Sequence, residues 1–236
     1  HDYLEGAAER IVGAVRQALR ERGSASSQSA PPALAAALPR PLPKHGVRVE
    51  LIAIGASAGG VEALHHLLPL LPADLPPVLV VQHIPSAFSA AFARRLDEVC
   101  ELRVQLARDG DRLTRGRVLV GPGGVHLRVT RVGQQLLCRL DQSDPVKRHR
   151  PSVDALFTSL VPAVGAASVA VLLTGMGDDG VDGMLALRQA GATTIAQDEG
   201  SSVVYGMPRE AARRGAAIEV LPLQRIAARL VALSNG

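Results

Sequence analysis

Leu51-Ile-Ala-Ile-Gly-Ala-Ser-Ala-Gly-Gly60 constrains the fold of this 236-residue chain more than any other stretch. Its apolar, partly β-branched start suits a strand. Small residues then make a tight turn, and apolar residues at helical spacing begin after Gly60. A strand passing through a glycine-rich turn into a helix is the opening unit of a parallel α/β sheet. Ser57 stands at the turn, in the G-x-S-x-G spacing whose small neighbours leave a serine hydroxyl exposed above a sheet edge. Two chemistries stay open at this point: Ser57 as a nucleophile, or Ser57 lining an anion pocket at a helix N-terminus.

From Val47 onward the same alternation repeats. Strands are expected at 49–54, 78–82, 117–121, 168–174, 193–197 and 217–220, and helices near 60–71, 86–99, 152–164, 181–190, 207–214 and 223–233. Between them, residues 124–140 alternate with period two on either side of Gly133 and read as a β-hairpin. The fold class is therefore α/β: a doubly wound, mostly parallel sheet with helices on both faces and a β-hairpin insertion. Nearly half the residues are apolar but only two tyrosines and three phenylalanines are aromatic, so the core must be built from Leu, Val, Ile and Ala. Parallel sheets covered on both faces are commonly made that way.

The net charge of +4 invites a nucleic-acid reading. The arginines are spread along the chain, however, and aromatic platforms for stacking bases are nearly absent, so no nucleic-acid partner is expected. Cys100 and Cys138 have neither metal-ligand nor disulfide-framework spacing, which fits a reducing, cytoplasmic setting. No apolar run approaches the ~18 residues of a membrane span, and no membrane insertion is expected.

Ahead of this domain, Leu4, Ala8, Ile11, Val12, Val15 and Leu19 form one stripe of an amphipathic helix within residues 1–23. Residues 24–46 are rich in Ser, Ala and Pro and read as a linker stiffened by its prolines. The helix has an apolar face but no adjacent partner in sequence. It either docks on the following domain or is the last helix of a truncated upstream domain; the linker favours the second reading, with 47–236 expected to be the catalytic domain.

A serine hydroxyl needs a base, and the base needs an acid to orient it. In a doubly wound sheet these groups gather at the carboxyl ends of strands. His65 and His66 lie within the helix after Ser57, His126 in the hairpin, and His149 in the basic loop Lys147-Arg-His-Arg150. His83 directly follows the run Val78–Gln82, at the same sheet edge as Ser57, and is the preferred base. The acid search leads to Thr174-Gly-Met-Gly-Asp-Asp-Gly180, which carries Asp178 and Asp179 at another strand end. With Asp182 this segment also reads Asp-Asp-x-x-Asp, a magnesium-like pattern. Gly180 and the preceding strand oppose that reading, and no metal is expected. Gly55, Gly59 and Gly60 do not reproduce G-x-G-x-x-G, and Gln82-His83 stand where a ribose-binding acid would, so no nucleotide cofactor is expected.

Taken in order, Gly-Ala-Ser-Ala-Gly-Gly, Val-Val-Gln-His-Ile and Leu-Leu-Thr-Gly-Met-Gly-Asp-Asp-Gly resemble the catalytic domain of the chemotaxis protein-glutamate methylesterase family. The resemblance runs from about Val47 to the C-terminus. It includes Val118-Leu-Val-Gly-Pro-Gly-Gly124 with His126-Leu-Arg128, Arg148-His-Arg-Pro-Ser-Val-Asp154, and Val203-Val-Tyr-Gly-Met-Pro208. It implies Ser57 as nucleophile, His83 as general base and Asp179 as the residue orienting it, with Asp178 a bystander. Backbone N–H groups at Ala58 and near Met176 are expected to form the oxyanion hole.

The implied reaction is hydrolysis of glutamate methyl esters on the helical cytoplasmic domains of methyl-accepting chemoreceptors, releasing methanol, with deamidation of receptor glutamines by the same acyl chemistry. The implied partners are those receptors, a receiver domain in the same or a separate chain, and its histidine kinase. The helix at 3–21 would be the end of that receiver domain. Many members carry a hydroxyl residue after the nucleophile, where this chain has Ala58. That departure keeps alive a degenerate receptor-binding module, and a small-molecule serine esterase is the other alternative. Arg148-His149-Arg150 either meets an acidic receptor surface or is a solvated turn.

Overall fold

A computed structural model of the chain describes residues 47–235; the expected helix at 3–21 and linker at 24–46 lie outside the described residues. Seven strands form the sheet: β1 (Leu51–Ala56), β2 (Val78–Gln82), β3 (Arg103–Leu106), β4 (Arg117–Val120), β7 (Ser168–Leu172), β8 (Thr193–Gln197) and β9 (Glu219–Leu221). Their order is β3-β4-β2-β1-β7-β8-β9, and every pairing is parallel. A separate antiparallel hairpin, β5 (His126–Val132) and β6 (Gln135–Asp141), is inserted between β4 and β7.

Side chains alternate along each buried strand, so each strand feeds two cores. In β1, Ile52, Ile54 and Ala56 join one cluster while Leu51 and Ala53 join the other. The first cluster is covered by α1 (Gly60–Leu67), α2 (Ser86–Asp97) and α6 (Leu223–Ser234), through Leu64, Leu67, Phe92, Leu96, Ile226 and Leu230. The second is covered by α3 (Val153–Ala163), α4 (Val181–Gln189), α5 (Met207–Arg213) and the hairpin, through Phe157, Leu160, Met184, Leu187, Met207 and Leu127. This is the doubly wound arrangement expected from the alternation.

Local chemistry explains the departures. The helix expected over 60–71 ends at Leu67 and continues as a 3₁₀ turn, Leu68–Leu70, because Pro69 supplies no amide for the helical ladder. The strand expected at 49–54 begins two residues later and runs to Ala56, carrying Ser57 right at the sheet edge. β3 lies outside the expected strands. It is a four-residue edge strand in which only Val104 is buried, too short and too polar to stand out as a pattern.

The chain leaves β1 toward β2, then returns after the hairpin to place β7 on β1's other side. β1 and β7 are neighbours whose onward connections run in opposite directions. A crevice forms at the carboxyl ends of such a pair, and it is where the candidate residues meet.

Candidate active site

Ser57 follows the last residue of β1, and its backbone N–H donates to the Thr174 carbonyl beyond β7 at 3.0 Å. The turn can be this tight because Gly59 adopts a left-handed conformation, φ 79°, and so delivers the chain into α1 without a side-chain cap. Gly60 N–H then donates to the Ser57 carbonyl at 2.8 Å. That same carbonyl accepts from Gln82 Nε2 at 2.9 Å, so the last residue of β2 helps hold the turn. Across the crevice, Thr174 Oγ1 donates to the Ala58 carbonyl at 2.9 Å and accepts from Val204 N–H at 2.9 Å. Thr174 is fully buried, and its own N–H is held by Gln197 Oε1 at 2.8 Å.

His83 begins where β2 ends, and its N–H donates to the Ala56 carbonyl at 3.1 Å. Its Nδ1 lies 3.1 Å from Ser57 Oγ, and its Nε2 lies 2.8 Å from Asp179 Oδ2. With Asp179 ionised, Nε2 carries the proton and donates it to the carboxylate, which leaves the Nδ1 lone pair facing the serine hydroxyl. Ser57, His83 and Asp179 are thus linked in one hydrogen-bonded chain drawn from the ends of β1, β2 and β7.

Asp179 is 1% exposed, and its position is over-determined. Oδ1 accepts from Ser152 Oγ at 2.7 Å and from Asp154 N–H at 3.1 Å, while Oδ2 accepts from Val153 N–H at 2.7 Å as well as from His83. These donors belong to the first turn of α3, whose N-cap is Ser152, so the carboxylate also sits at the positive end of a helix. Burial works against the charge, but the hydrogen bonds from His83, Ser152, Val153 and Asp154 outweigh it and hold the carboxyl below the usual carboxylate range.

The adjacent acid, Asp178, turns the other way. Lys147 Nζ lies 2.9 Å from Asp154 Oδ2, 3.2 Å from Asp178 Oδ2 and 2.7 Å from Asp182 Oδ2, and donates to the Asp178 carbonyl at 3.0 Å. The acids of the Asp-Asp-x-x-Asp segment other than Asp179 therefore converge on an ammonium group. Burial disfavours that charge, but the three carboxylates prevail and keep Lys147 above the ordinary lysine range. Asp154, mostly buried, is held above the usual carboxylate range despite Gly183 N–H and Lys147.

Within the Arg148-His149-Arg150 loop both arginines are exposed, while the His149 ring lies flat on His83, with centroids 3.8 Å apart and planes within 8°. Burial, and then the neighbouring His83, push His149 below the ordinary imidazole range. His126 is buried, accepting from Ser152 N–H at Nδ1 and donating from Nε2 to the Asp144 carbonyl.

The backbone N–H groups of Ala58 and Met176 have no hydrogen-bond acceptor among the described residues, and both residues are exposed. Sequence reasoning missed Ser152, Thr174 and Gln82 as supports. Only Ser152 carried a readable signal, a serine at the first position of the helical pattern expected over 152–164.

A doubly wound sheet with a hydroxyl, an imidazole and a buried carboxylate linked at its carboxyl edge is the layout of an α/β serine hydrolase. The chain belongs to the CheB methylesterase family, whose model matches residues 52–230. It is 51% identical over 236 residues to a protein-glutamate methylesterase/protein-glutamine glutaminase of Anaeromyxobacter dehalogenans, covering 98% of this chain and 67% of that protein. A protein of the same name from Xanthomonas oryzae is 48% identical, with 98% and 66% covered. This chain therefore spans about two thirds of their length. Among solved structures, the CheB methylesterase catalytic domain of Thermotoga maritima superposes with a TM-score of 0.77 at 37% identity, covering 79% of this chain and all of that one.

Proposed function

We propose that this chain hydrolyses glutamate methyl esters on the cytoplasmic helical domains of chemoreceptors, and deamidates receptor glutamines by the same route. The hydrogen-bonded chain from Ser57 Oγ through His83 to Asp179 carries the proposal. Ser57 Oγ attacks the ester carbonyl as His83 Nδ1 takes its proton. The tetrahedral intermediate collapses when His83 returns that proton to the departing methoxide, giving methanol and an acyl-Ser57 ester. Water then attacks, again deprotonated by His83, and Ser57 leaves with that proton; the glutamate acid so formed gives up its remaining proton to solvent and becomes the carboxylate. With a glutamine the leaving group is ammonia. Throughout, Asp179 keeps the imidazole in one tautomer and stabilises its cationic form. The N–H groups of Ala58 and Met176 serve as oxyanion donors, each contributing on the order of 3 kcal/mol. Ala58 lacks a side-chain hydroxyl, but the backbone donor does not depend on one.

A protein substrate is supported by what surrounds the serine. Ala58, Met176, Gly177 and Asp178 are exposed, and the apolar side chains of Met176 and Val203 are 74% and 72% exposed beside the turn. An open site with an apolar rim suits a side chain presented by a partner's surface better than an enclosed small molecule. The setting is cytoplasmic, and the remaining length of the relatives accommodates a receiver domain controlled by a histidine kinase. The reading is tested by methanol release from a methylated receptor fragment. Ser57→Ala is expected to lower kcat by about 10⁴-fold or more; turnover within tenfold of the unaltered protein refutes the nucleophile.

A further inference from the structure

Val146 and His149 pair through two backbone hydrogen bonds, 3.1 and 2.9 Å, closing a two-residue turn. Its central residues, Lys147 and Arg148, have φ of 48° and 69°. Two successive left-handed residues suit glycine and asparagine; a lysine and an arginine there are strained and persist only where surrounding contacts impose the conformation. The imposing contacts are visible. The Lys147 side chain is 24% exposed, and its ammonium is gripped by Asp154 from α3, Asp178 from the loop after β7, and Asp182 from α4. The residue that closes the turn, His149, is stacked on His83.

We propose that Lys147 is a positioning residue: its three-carboxylate clamp holds the strained turn so that His149 forms one wall of the His83 imidazole and keeps that ring between Ser57 and Asp179. The proposal rests on His83 acting as the base. Lys147 compensates the three carboxylates; without it, nothing draws them together and nothing holds the turn against its two left-handed residues.

The test compares the unaltered protein with Lys147→Met and Lys147→Arg in methanol release, alongside imidazole proton spectra recorded without substrate. Lys147→Met is expected to lower kcat roughly 10- to 100-fold with KM within about twofold. The ring-current displacement of the stacked imidazole protons should collapse with it. Lys147→Arg, which keeps the charge, should recover most of kcat and of that displacement. Unchanged kcat together with unchanged imidazole spectra in Lys147→Met overturns the proposal. If Lys147→Met does not fold, Asp178→Asn/Asp182→Asn removes the two half-exposed legs of the clamp, and unchanged imidazole spectra there overturn it equally. The outcomes separate the two levels. A protein that releases no methanol contradicts the methylesterase reading, while the substrate-free spectra still decide whether the clamp holds the rings.

Discussion

Gly175→Ala places a single methyl group where the loop after β7 packs against the Ser57 turn after β1. A Cβ built on Gly175 falls 2.7 Å from Ser57 Cβ and 3.2 Å from Ser57 N, and also collides with the buried Met207 Sδ. Gly175 cannot easily retreat. Its N–H donates to the Val204 carbonyl, and its own carbonyl accepts from Gly206 and Met207 at 3.1 and 2.8 Å. An ordinary carbon–carbon contact of about 3.5 Å therefore requires Ser57 to move by about 0.8 Å. Its Oγ now lies 3.1 Å from His83 Nδ1, and a shift of that size takes it beyond hydrogen-bond distance. Misplacing a reacting group by about 1 Å costs on the order of 10²-fold in rate. Overpacking costs about 1–3 kcal/mol of stability, which for a domain of this size is about 2–4 °C in Tm per kcal/mol. The variant should thus stay folded while kcat for methanol release falls about 100-fold. Gly200→Ala is the control: its nearest neighbour to a built Cβ is Asp198 Oδ2 at 3.9 Å, and rate and Tm should not change. If Gly175→Ala keeps kcat within threefold of the unaltered protein, the close approach does not position the nucleophile and the reasoning fails.

Asp179→Asn should lower kcat by about 10³- to 10⁴-fold and cost about 1–3 kcal/mol near pH 7, because one amide NH₂ must then face the buried N–H of Val153 or Asp154. The Asp179 pKa is lowered on folding, so its contribution is fully present above the unfolded value near 3.8 and is lost as pH falls through the folded value. Urea unfolding should accordingly show the gap between protein and variant narrowing only below about pH 4; a gap that closes near neutrality contradicts the assignment. His149 is likewise lowered, so its contribution is present above the ordinary imidazole value of about 6.5 and lost below it. His149→Gln should flatten the stability profile in that higher window. Burial pushes both the Cys100 and Cys138 thiols up to about 11, so iodoacetamide should label the folded protein far more slowly than the urea-unfolded chain at pH 8. Equal rates would show that the thiols are not protected.

The alternation of apolar runs with helical patterns was enough to read the doubly wound sheet, because periodicity records which face each element buries. The hairpin was legible for the same reason, from Val125 to Val129 and from Gln134 to Leu140 about Gly133. Arg103–Leu106 was not, since an edge strand with one buried residue leaves almost no pattern. Ser57, His83 and Asp179 could be chosen because each follows a strand-like run, and parallel strands bring their carboxyl ends to one edge whatever their spacing in the chain.

Residue types and their places along the chain were therefore determined by the sequence alone: a small-residue turn at Ser57, a histidine after β2 and an acid pair after β7. Packing decided what these groups do to one another. The relay closes across gaps of 26 and 96 residues, and only the folded sheet sets those ends within 3.1 Å. Which of two adjacent acids meets the histidine depended on the first turn of α3, whose N–H groups capture Asp179 while Lys147 draws Asp178 away. The stacking of His149 on His83 was decided there too. A turn bearing two left-handed, long-chained residues has no local preference to announce it, and it exists because three carboxylates from separate elements converge on one ammonium.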